Sequence, residues 1–232
     1  MADRNGWKTR LSGHWDELKW LFFELYPGRE DQFEALCRVM ETRSSERNEE
    51  LLELDEKRLA DPDWYKRNDM NGMMLYADAF AGNLKGVRKK LDYIEECRVN
   101  YIHLMPLLDS PRVRNDGGYA VSDFTRVKPE LGTMEDLADL TGECHRRGIS
   151  VCLDFVMNHT SDEHEWALWA RNGRKEYQDR YFFYDDYEIP SQFEKTCPQV
   201  FPTTAPGNFT WLEDVKKYVM TTFYPYQWDL NY

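Results

Sequence analysis

Three short apolar runs, separated by helix-type segments, constrain the fold of this 232-residue chain more than any other feature. The runs are MMLYADAF after Gly72, YIHLMPL around Pro106, and SVCLDFVMNH from Ser150. Each run is a strand candidate, and YIHLMPL, a continuous apolar run bounded by Pro106, is typical of a strand that is covered on both sides. An alternation of strand, helix, strand, helix and strand is typical of a parallel sheet. The sequence therefore predicts an α/β fold.

Two segments between these runs carry helix signals. NLKGVRKKLDYIEEC places apolar residues on one face and has Asn83 as a candidate N-cap. TMEDLADLTGECHRRG has Thr133 and Asp136 at capping-box spacing, and Gly148 is a stop signal. Each segment is long enough to cross from one parallel strand to the next.

The rest of the chain divides by composition. Residues 14–60 show apolar stripes at helical spacing and predict helices, whereas residues 108–132 predict a long loop. Residues 161–226 are rich in Tyr, Phe and Pro with weak regularity, which favours a small inserted subdomain. We therefore expect an N-terminal helical domain over 1–70, the strands over 71–160 and an inserted domain over 161–232.

Polar residues follow the predicted strands at the end where ligands bind. In parallel α/β folds ligands lie outside the carboxyl ends of the strands, and Asp154 and His159 lie toward that end of the third run. The loop RNDGGYAVSDF adds Asp116 and Tyr119 beside two glycines, which allow a ligand to approach the backbone. These residue types suit hydroxyl recognition and ring stacking.

Structural roles are open for the same residues. Asp116 and Tyr119 also fit an Asp-Gly turn with a packing tyrosine. Asp154 could be a buried carboxylate paired with an arginine, and His159 a core histidine that donates to a backbone carbonyl. His159 and His164 are five residues apart, which departs from the i, i+4 spacing of a zinc helix, so no metal is predicted.

Composition excludes one class of partner and bears on the compartment. The net charge is −12, whereas nucleic-acid binding depends on Lys and Arg that neutralise phosphates, so no nucleic-acid partner is expected. Aromatic residues make up 15%, which suits sugar stacking and an ordinary core equally. The N-terminus has no apolar signal core, no run reaches membrane length, and the five cysteines include no C-x-x-C pair. These features predict a cytoplasmic protein with no membrane partner.

Three motifs together carry a family resemblance. DGGYAVSDF, DFVMNHTSDEHEW and TTFYPYQWDLNY resemble glycoside hydrolase family 13, and the resemblance runs from about residue 14 to the end. Ala120 stands where maltose-acting members usually have Asp, which favours the sucrose-acting amylosucrase branch. The resemblance implies the first three β/α units of a (β/α)8 TIM barrel, an N-terminal helical domain before them and an inserted B domain after strand 3.

The resemblance also implies an activity and residue roles. The activity is retaining α-glucosyl transfer from sucrose, which releases fructose and passes glucose to an α-1,4-glucan acceptor or to water, with no cofactor. Asp116 would bind hydroxyls at the base of the glucosyl pocket and pair with a downstream arginine. Tyr119 would stack on the sugar ring, and His159 would hydrogen-bond its hydroxyls. The remaining residues would wall or support the pocket: Phe201 and Phe223 as walls, Asp154 to order the end of strand 3 around His159, and Asn158 as a further support.

The two carboxylates that perform retaining glycosidic cleavage are expected elsewhere. They lie roughly 5–5.5 Å apart in such enzymes, and in this family they follow strands 4 and 5. The 232 residues contain no D-x-x-R-x-D segment, so the nucleophile Asp and the acid Glu are expected downstream of Tyr232. We therefore expect this polypeptide alone to lack turnover. Two alternatives are a sucrose hydrolase or other family 13 α-glucosidase, and a short non-catalytic carbohydrate-binding protein.

Overall fold

The chain contains two compact units in a computed structural model that describes residues 6–232. One unit ends at Asp69 and the other is Met70–Tyr232. Residues 1–5 of the predicted N-terminal domain lie outside the described residues. The further division of the second unit into barrel strands and an inserted domain stays a prediction.

The first unit is helical, as predicted for residues 14–60. Its helices are α1 (Gly6–Ser12), α2 (Trp15–Leu25), α3 (Glu30–Ser45) and α4 (Glu49–Ala60), and a 3-10 turn follows at Trp64–Lys66. The buried side chain of Phe33 contacts the rings of Trp15 and Phe22, with centroid distances of 5.4 and 5.1 Å. This aromatic cluster is the centre of the unit's small core.

The second unit mixes helices and strands. Its strands are β1 (Gly72–Leu75), β2 (Tyr101–Leu104), β3 (Leu108–Asp109), β4 (Asp123–Val127), β5 (Ser150–Leu153), β6 (His159–Ser161), β7 (Phe183–Tyr184), β8 (Phe209–Leu212), β9 (Lys217–Met220) and β10 (Gln227–Asp229). Its helices are α5 (Ala77–Ala81), α6 (Leu84–Lys89), α7 (Leu91–Glu96), α8 (Met134–Arg146), α9 (Glu165–Arg171), α10 (Lys175–Gln178) and α11 (Glu188–Phe193).

The three predicted strands form one parallel sheet in the order β1-β2-β5. Leu84 and Val87 of α6 are fully buried in the same core cluster as Ile102 of β2 and Leu140 of α8. Burying each such side chain contributes about 1.5–3 kcal/mol, so the sheet is held by helices that cover its apolar residues. The prediction of a parallel α/β arrangement is confirmed.

The predicted helix caps are also confirmed. Asn83 Oδ1 accepts a hydrogen bond from the backbone nitrogen of Gly86 at 2.9 Å. Thr133 Oγ1 accepts from the backbone nitrogen of Asp136 at 3.2 Å, and Asp136 Oδ2 accepts from that of Thr133 at 3.1 Å. These bonds satisfy amide groups that the first turn of a helix leaves without intrahelical partners.

Several predicted element boundaries are wrong. The first run is a strand only to Leu75, and its alanines form α5 because alanine favours helix most strongly. The helix predicted over 83–97 is two helices that meet at Lys90, and the loop predicted over 108–132 contains the hairpin β3–β4. The third run leaves the sheet after Leu153, and His159 begins a separate short strand.

The segment predicted to be irregular contains a second sheet. Strands β7, β9 and β8 form an antiparallel sheet in that order. Val219 and Leu212 of this sheet pack in one cluster with Tyr181 and Trp228. No helix among the described residues is long and apolar enough to cross a membrane.

Candidate functional site

A cavity of about 610 Å³ lies at the carboxyl ends of the parallel strands. Its lining comes from the segments that follow β1, β2 and β5 and from the region after residue 200. The lining residues are Tyr76, Asp116, Gly117, Tyr119, Asp154, Phe155, Val156, Met157, Asn158, His159, Phe201 and Phe223. All seven residues predicted for the site therefore lie around one cavity.

The loop that presents Asp116 and Tyr119 has an unusual backbone. Asp116, Gly117 and Gly118 have φ angles of 49°, 69° and 102°, in the left-handed region that favours glycine. A Cβ atom on Gly118 would lie 2.8 Å from Cβ of Pro106. The side chain of Asn115 accepts from the backbone nitrogen of Gly117 at 3.0 Å and holds the turn. The sequence thus builds a tight turn that directs a carboxylate and a phenol to the cavity.

Tyr119 is oriented by a chain of hydrogen bonds. Its hydroxyl donates to Asp154 Oδ2 at 3.1 Å, and His103 Nε2 lies 3.0 Å from Asp154 Oδ1. Burial and the neighbouring carboxylate raise the pKa of Tyr119 to about 12, so the phenol keeps its proton. The side chain of Asp154 therefore supports Tyr119. Its role in ordering the end of the third strand around His159 stays a prediction.

His159 is buried, with 4% of its surface exposed. Its Nε2 lies 3.1 Å from the carbonyl oxygen of Tyr119, and Asn158 Nδ2 lies 3.3 Å from its Nδ1. Because a carbonyl only accepts, Nε2 donates and Nδ1 accepts from Asn158. Burial lowers the pKa of His159, which favours this neutral form. The histidine has the backbone contact expected of a core histidine and also lines the cavity.

A short antiparallel pair fixes the position of His159. Strand β6 pairs with β10 so that His159 lies opposite Asp229 and Ser161 lies opposite Gln227. Asp229 is 5% exposed, and its Oδ1 accepts from Asn158 Nδ2 at 2.6 Å. Its Oδ2 accepts from both the backbone nitrogen and the hydroxyl of Thr222, each at 2.7 Å. Asp229 therefore ties Asn158, which precedes His159, to Thr222, which precedes Phe223.

Gln227 joins the two polar sides of the cavity. Its side chain is fully buried; Oε1 accepts from the backbone nitrogen of Tyr224 at 3.0 Å, and Nε2 donates to Asp116 Oδ2 at 3.2 Å. The same nitrogen lies 3.0 Å from His159 Nε2; because that ring nitrogen donates to Tyr119, this is a close contact and not a hydrogen bond. Gln227 and Asp229 are not among the residues predicted for the site, although both belong to the QWDLNY part of the third motif. Their partners are too distant in sequence for any local pattern to reveal them.

Aromatic rings form the opposite wall. Phe223 lies 5.1 Å from the imidazole of His159 and 6.3 Å from Phe201, measured between ring centroids. Phe201 stacks on Tyr224 at 4.9 Å, and Tyr224 stacks on Tyr226 at 5.2 Å. Because Phe201 packs on Tyr224 and Tyr224 packs on Tyr226, these contacts fix the position of the apolar wall.

The combined surface suits a ring-shaped ligand with many hydroxyls. Asp116 supplies an acceptor, Tyr119 supplies a ring with a hydroxyl, and Phe201 and Phe223 supply apolar faces. Binding sites for small molecules commonly combine apolar walls with a few placed polar groups. Among residues 6–232, no group of three or more His, Cys, Asp or Glu side chains could hold a metal ion. The prediction that the site needs no metal or cofactor stays a prediction.

Most of this chain is similar to known proteins. The family model for the alpha amylase catalytic domain matches residues 57–232. A trehalose synthase of Pimelobacter sp. is 34% identical over 178 residues, which are 74% of this chain and 30% of that protein. An alpha-glucosidase of Apis mellifera is 35% identical over 156 residues, which are 65% of this chain and 26% of that protein.

Solved structures show the same relationship. A mutant of MutB in complex with the substrate sucrose has a TM-score of 0.62 and 30% identity, covering 74% of this chain and 30% of that one. The trehalose-6-phosphate hydrolase TreA of Bacillus licheniformis has a TM-score of 0.60 and 31% identity, covering 72% and 30%. The chain thus spans about 30% of the length of these solved relatives.

Proposed function

Because this chain belongs to the alpha-amylase catalytic-domain family, we propose that its cavity holds the glucosyl unit of an α-glucoside in a family 13 glucosidase or transglucosylase. The family performs glycoside hydrolysis and glucosyl transfer. On this proposal the described residues bind and orient the sugar. The carboxylates that cleave the glycosidic bond come from other parts of the catalytic domain.

One observation carries the proposal. Asp116 and Tyr119 come from one loop and His159 from a strand 40 residues further along the chain, yet all three line one cavity. Asp116 accepts from a sugar hydroxyl with the carboxylate oxygen lone pairs that Gln227 leaves available. Tyr119 presents its ring to the apolar face of the pyranose, while Asp154 fixes its hydroxyl. His159 lies next to the Phe223 ring, and a sugar hydroxyl that bonds to it shares the Nε2–H with the carbonyl oxygen of Tyr119.

The finer proposal is the amylosucrase reaction on a (β/α)8 barrel with an inserted B domain. Sucrose would be cleaved with retention, fructose released and glucose passed to an α-1,4-glucan or to water. Ala120, fully buried beside Tyr119, supports the sucrose-acting branch. The likeness to a MutB mutant bound to sucrose supports a sucrose-sized donor.

A second candidate is sucrose or α-glucoside conversion without polymer formation. It is favoured by the identity of the relatives, which include a trehalose synthase and an alpha-glucosidase. The products of an enzyme that carries this segment together with both catalytic carboxylates distinguish the two. Glucan and fructose select the first candidate, whereas an isomerised disaccharide or equal glucose and fructose select the second.

The binding proposal is tested on the chain itself by calorimetric titration with sucrose. We expect Asp116→Asn and Tyr119→Ala to weaken binding at least tenfold, since each removes a group that faces the sugar, a loss of about 1.4 kcal/mol or more. Asp186→Asn, an exposed carboxylate away from the cavity, is the matched control and should leave binding unchanged. Equal affinities for all variants would mean that the cavity is not the sugar site.

Turnover is a separate prediction. We expect no fructose release from sucrose by these 232 residues, because they contain no D-x-x-R-x-D segment. Retaining cleavage requires a nucleophile and an acid, and we assign Asp116 and Asp154 to neither role. Release of fructose by the purified chain would refute that assignment.

A further inference from the structure

Side chains from distant parts of the chain hold the loop that carries Asp116. Within the loop, Asn115 Nδ2 donates to the carbonyl oxygens of Pro111 and Arg112 at 2.8 and 3.1 Å. These bonds fix the internal shape of the turn but not its place beside the cavity. That place depends on side chains that reach other segments, and Arg114 contacts residues 48 and 49 positions further along the chain.

Arg114 bridges two carboxylates that follow β6. Its Nη1 donates to Asp162 Oδ2 at 3.0 Å, and its Nη2 donates to Glu163 Oε1 at 3.3 Å. The guanidinium is half exposed, but the Asp162 side chain is only 7% exposed. An ion pair with a buried member is screened less than a pair on the surface. The contact therefore anchors the loop to the segment that continues from His159.

The charges around Asp162 make Arg114 its nearest positive partner. Arg171 Nη1 lies 3.8 Å from Asp162 Oδ2, whereas Arg171 Nε donates to Asp214 at 2.7 Å. Burial raises the pKa of Asp162, and the positive charge of Arg114 opposes that shift. Without Arg114, this buried carboxylate would depend on the more distant Arg171.

Arg114 also reaches the aromatic residues that support the cavity wall. Its guanidinium carbon lies 5.9 Å from the centre of the Tyr226 ring, within the range of a cation–π contact. Tyr226 stacks on Tyr224, which stacks on Phe201. One side chain therefore joins the Asp116 loop both to the acidic segment after β6 and to the stack behind the apolar wall.

We propose that Arg114 is a positioning residue for the glucosyl site, because it fixes the turn that directs the Asp116 carboxylate to the sugar. Asp116 has a φ of 49°, a conformation that a residue other than glycine keeps only where surrounding contacts hold it. Gln227 contacts the Asp116 carboxylate itself, and Arg114 holds the backbone two residues before it. Arg114 does not line the cavity, so it acts through Asp116 and not on the sugar. This inference rests on the proposed function.

Hydrogen exchange of backbone amides, measured by NMR on the 232-residue chain, tests the role in the turn without any sugar. The amides of Gly118 and Ala120 both donate to the carbonyl oxygen of Asn115 at 2.9 Å, so they report on the turn. In Arg114→Met they should exchange about tenfold faster, because hydrogen bonds between charged groups are lost. Arg112→Met is the matched control, because Arg112 lies in the same loop but is 86% exposed in a surface ion pair.

Sucrose titration tests the role in binding. Arg114→Met should raise the dissociation constant at least about fivefold, and in an Asp116→Asn background it should change the constant less than about twofold. The second effect is smaller because the group that Arg114 positions is already altered, whereas a general loss of structure would add to the effect of Asp116→Asn. Arg114→Lys keeps the charge but not the two-pronged donor, so its affinity should lie between those of the wild type and Arg114→Met.

Faster exchange confined to the turn, together with a non-additive loss of sucrose affinity, supports the proposal. Wild-type exchange of Gly118 and Ala120 in Arg114→Met overturns it, and so does unchanged sucrose affinity or equally faster exchange of the β2 amides. If Arg114→Met does not fold, the same criteria apply to Arg114→Lys. If the wild-type chain does not bind sucrose, the proposed function fails, and the exchange of the two amides still decides whether Arg114 fixes the turn.

Discussion

Replacing Asp229 by asparagine should destabilise the second unit by about 3 kcal/mol. The carboxylate is 5% exposed and accepts three hydrogen bonds, one from Asn158 and two from Thr222. In Asp229→Asn an amide nitrogen takes the place of one carboxylate oxygen. In one amide orientation it faces Asn158 Nδ2, and in the other it faces the backbone nitrogen of Thr222, so a donor meets a donor in both. A bond to a charged group contributes about 1.5–3 kcal/mol, and solvent cannot replace the lost acceptor at a buried position.

Urea unfolding followed by intrinsic fluorescence measures this loss, because fully buried Trp228 is next to Asp229 in the chain. With a typical slope of about 1–3 kcal/mol per molar urea, the midpoint should fall by roughly 1 M or more. Asp185→Asn is the matched control: that carboxylate is 83% exposed and paired with Lys217. An exposed pair contributes about 1 kcal/mol or less.

Asp229→Asn should also weaken sucrose binding. Asn158 Nδ2 contacts both Asp229 and His159. When Asp229 no longer holds the Asn158 side chain, Asn158 no longer fixes the imidazole of His159. Sucrose affinity of Asp229→Asn should therefore fall although Asp229 does not line the cavity. A midpoint within 0.3 M of wild type, roughly 1 kcal/mol or less at these slopes, would refute the role assigned to Asp229.

Three further predictions concern the cavity. Tyr119→Phe removes the bond to Asp154 and should cost about 1 kcal/mol of stability, while sucrose binding should fall less than in Tyr119→Ala because the ring remains. Burial lowers the pKa of His159 in the folded state. As the pH falls through about 6.5, the unfolded state therefore takes up a proton that the folded state does not, and the free energy of unfolding falls. His159→Gln should lose less stability over the same pH range. Gly118→Ala should cost about 2 kcal/mol in urea unfolding, because its φ is 102° and the new Cβ meets Pro106.

Each of these has its own contradicting result. A Tyr119→Phe variant that binds sucrose as poorly as Tyr119→Ala would show that the hydroxyl, and not the ring, carries recognition. Buried His164 also has a lowered pKa, so only the difference between wild type and His159→Gln is informative; identical pH profiles would refute the assignment. Gly28→Ala, where φ is 74° but no atom lies within 4 Å, should cost less than Gly118→Ala, and an equal cost would contradict the contact with Pro106 as the cause.

Much of the sheet and its helices could be predicted from the sequence, because the signals are local. Asn83 and the Thr133–Asp136 pair are read from residues three apart, and strands β2 and β5 from uninterrupted apolar runs. The end of β1 was misjudged because the apolar run continues through Ala77 and Phe80, where helix propensity and burial take over. Hydrophobicity alone does not distinguish a strand from a short buried helix.

The site was only partly predictable for a different reason. The polar residues around the cavity follow strand ends or glycines, which is a local signal. Gln227 contacts Asp116 across 111 residues, and Asp229 contacts Asn158 across 71. His103 looked like one residue of an apolar strand, yet it lies 3.0 Å from Asp154. Such contacts depend on how segments pair, which no spacing within one segment encodes.

A crystal structure of the chain with bound sucrose would test the central claim most directly. We predict the glucosyl ring in the cavity, stacked on Tyr119, with hydroxyls within hydrogen-bond distance of Asp116 and His159. An empty cavity at sucrose concentrations that saturate the chain, or a sugar bound only at another surface, would contradict the claim.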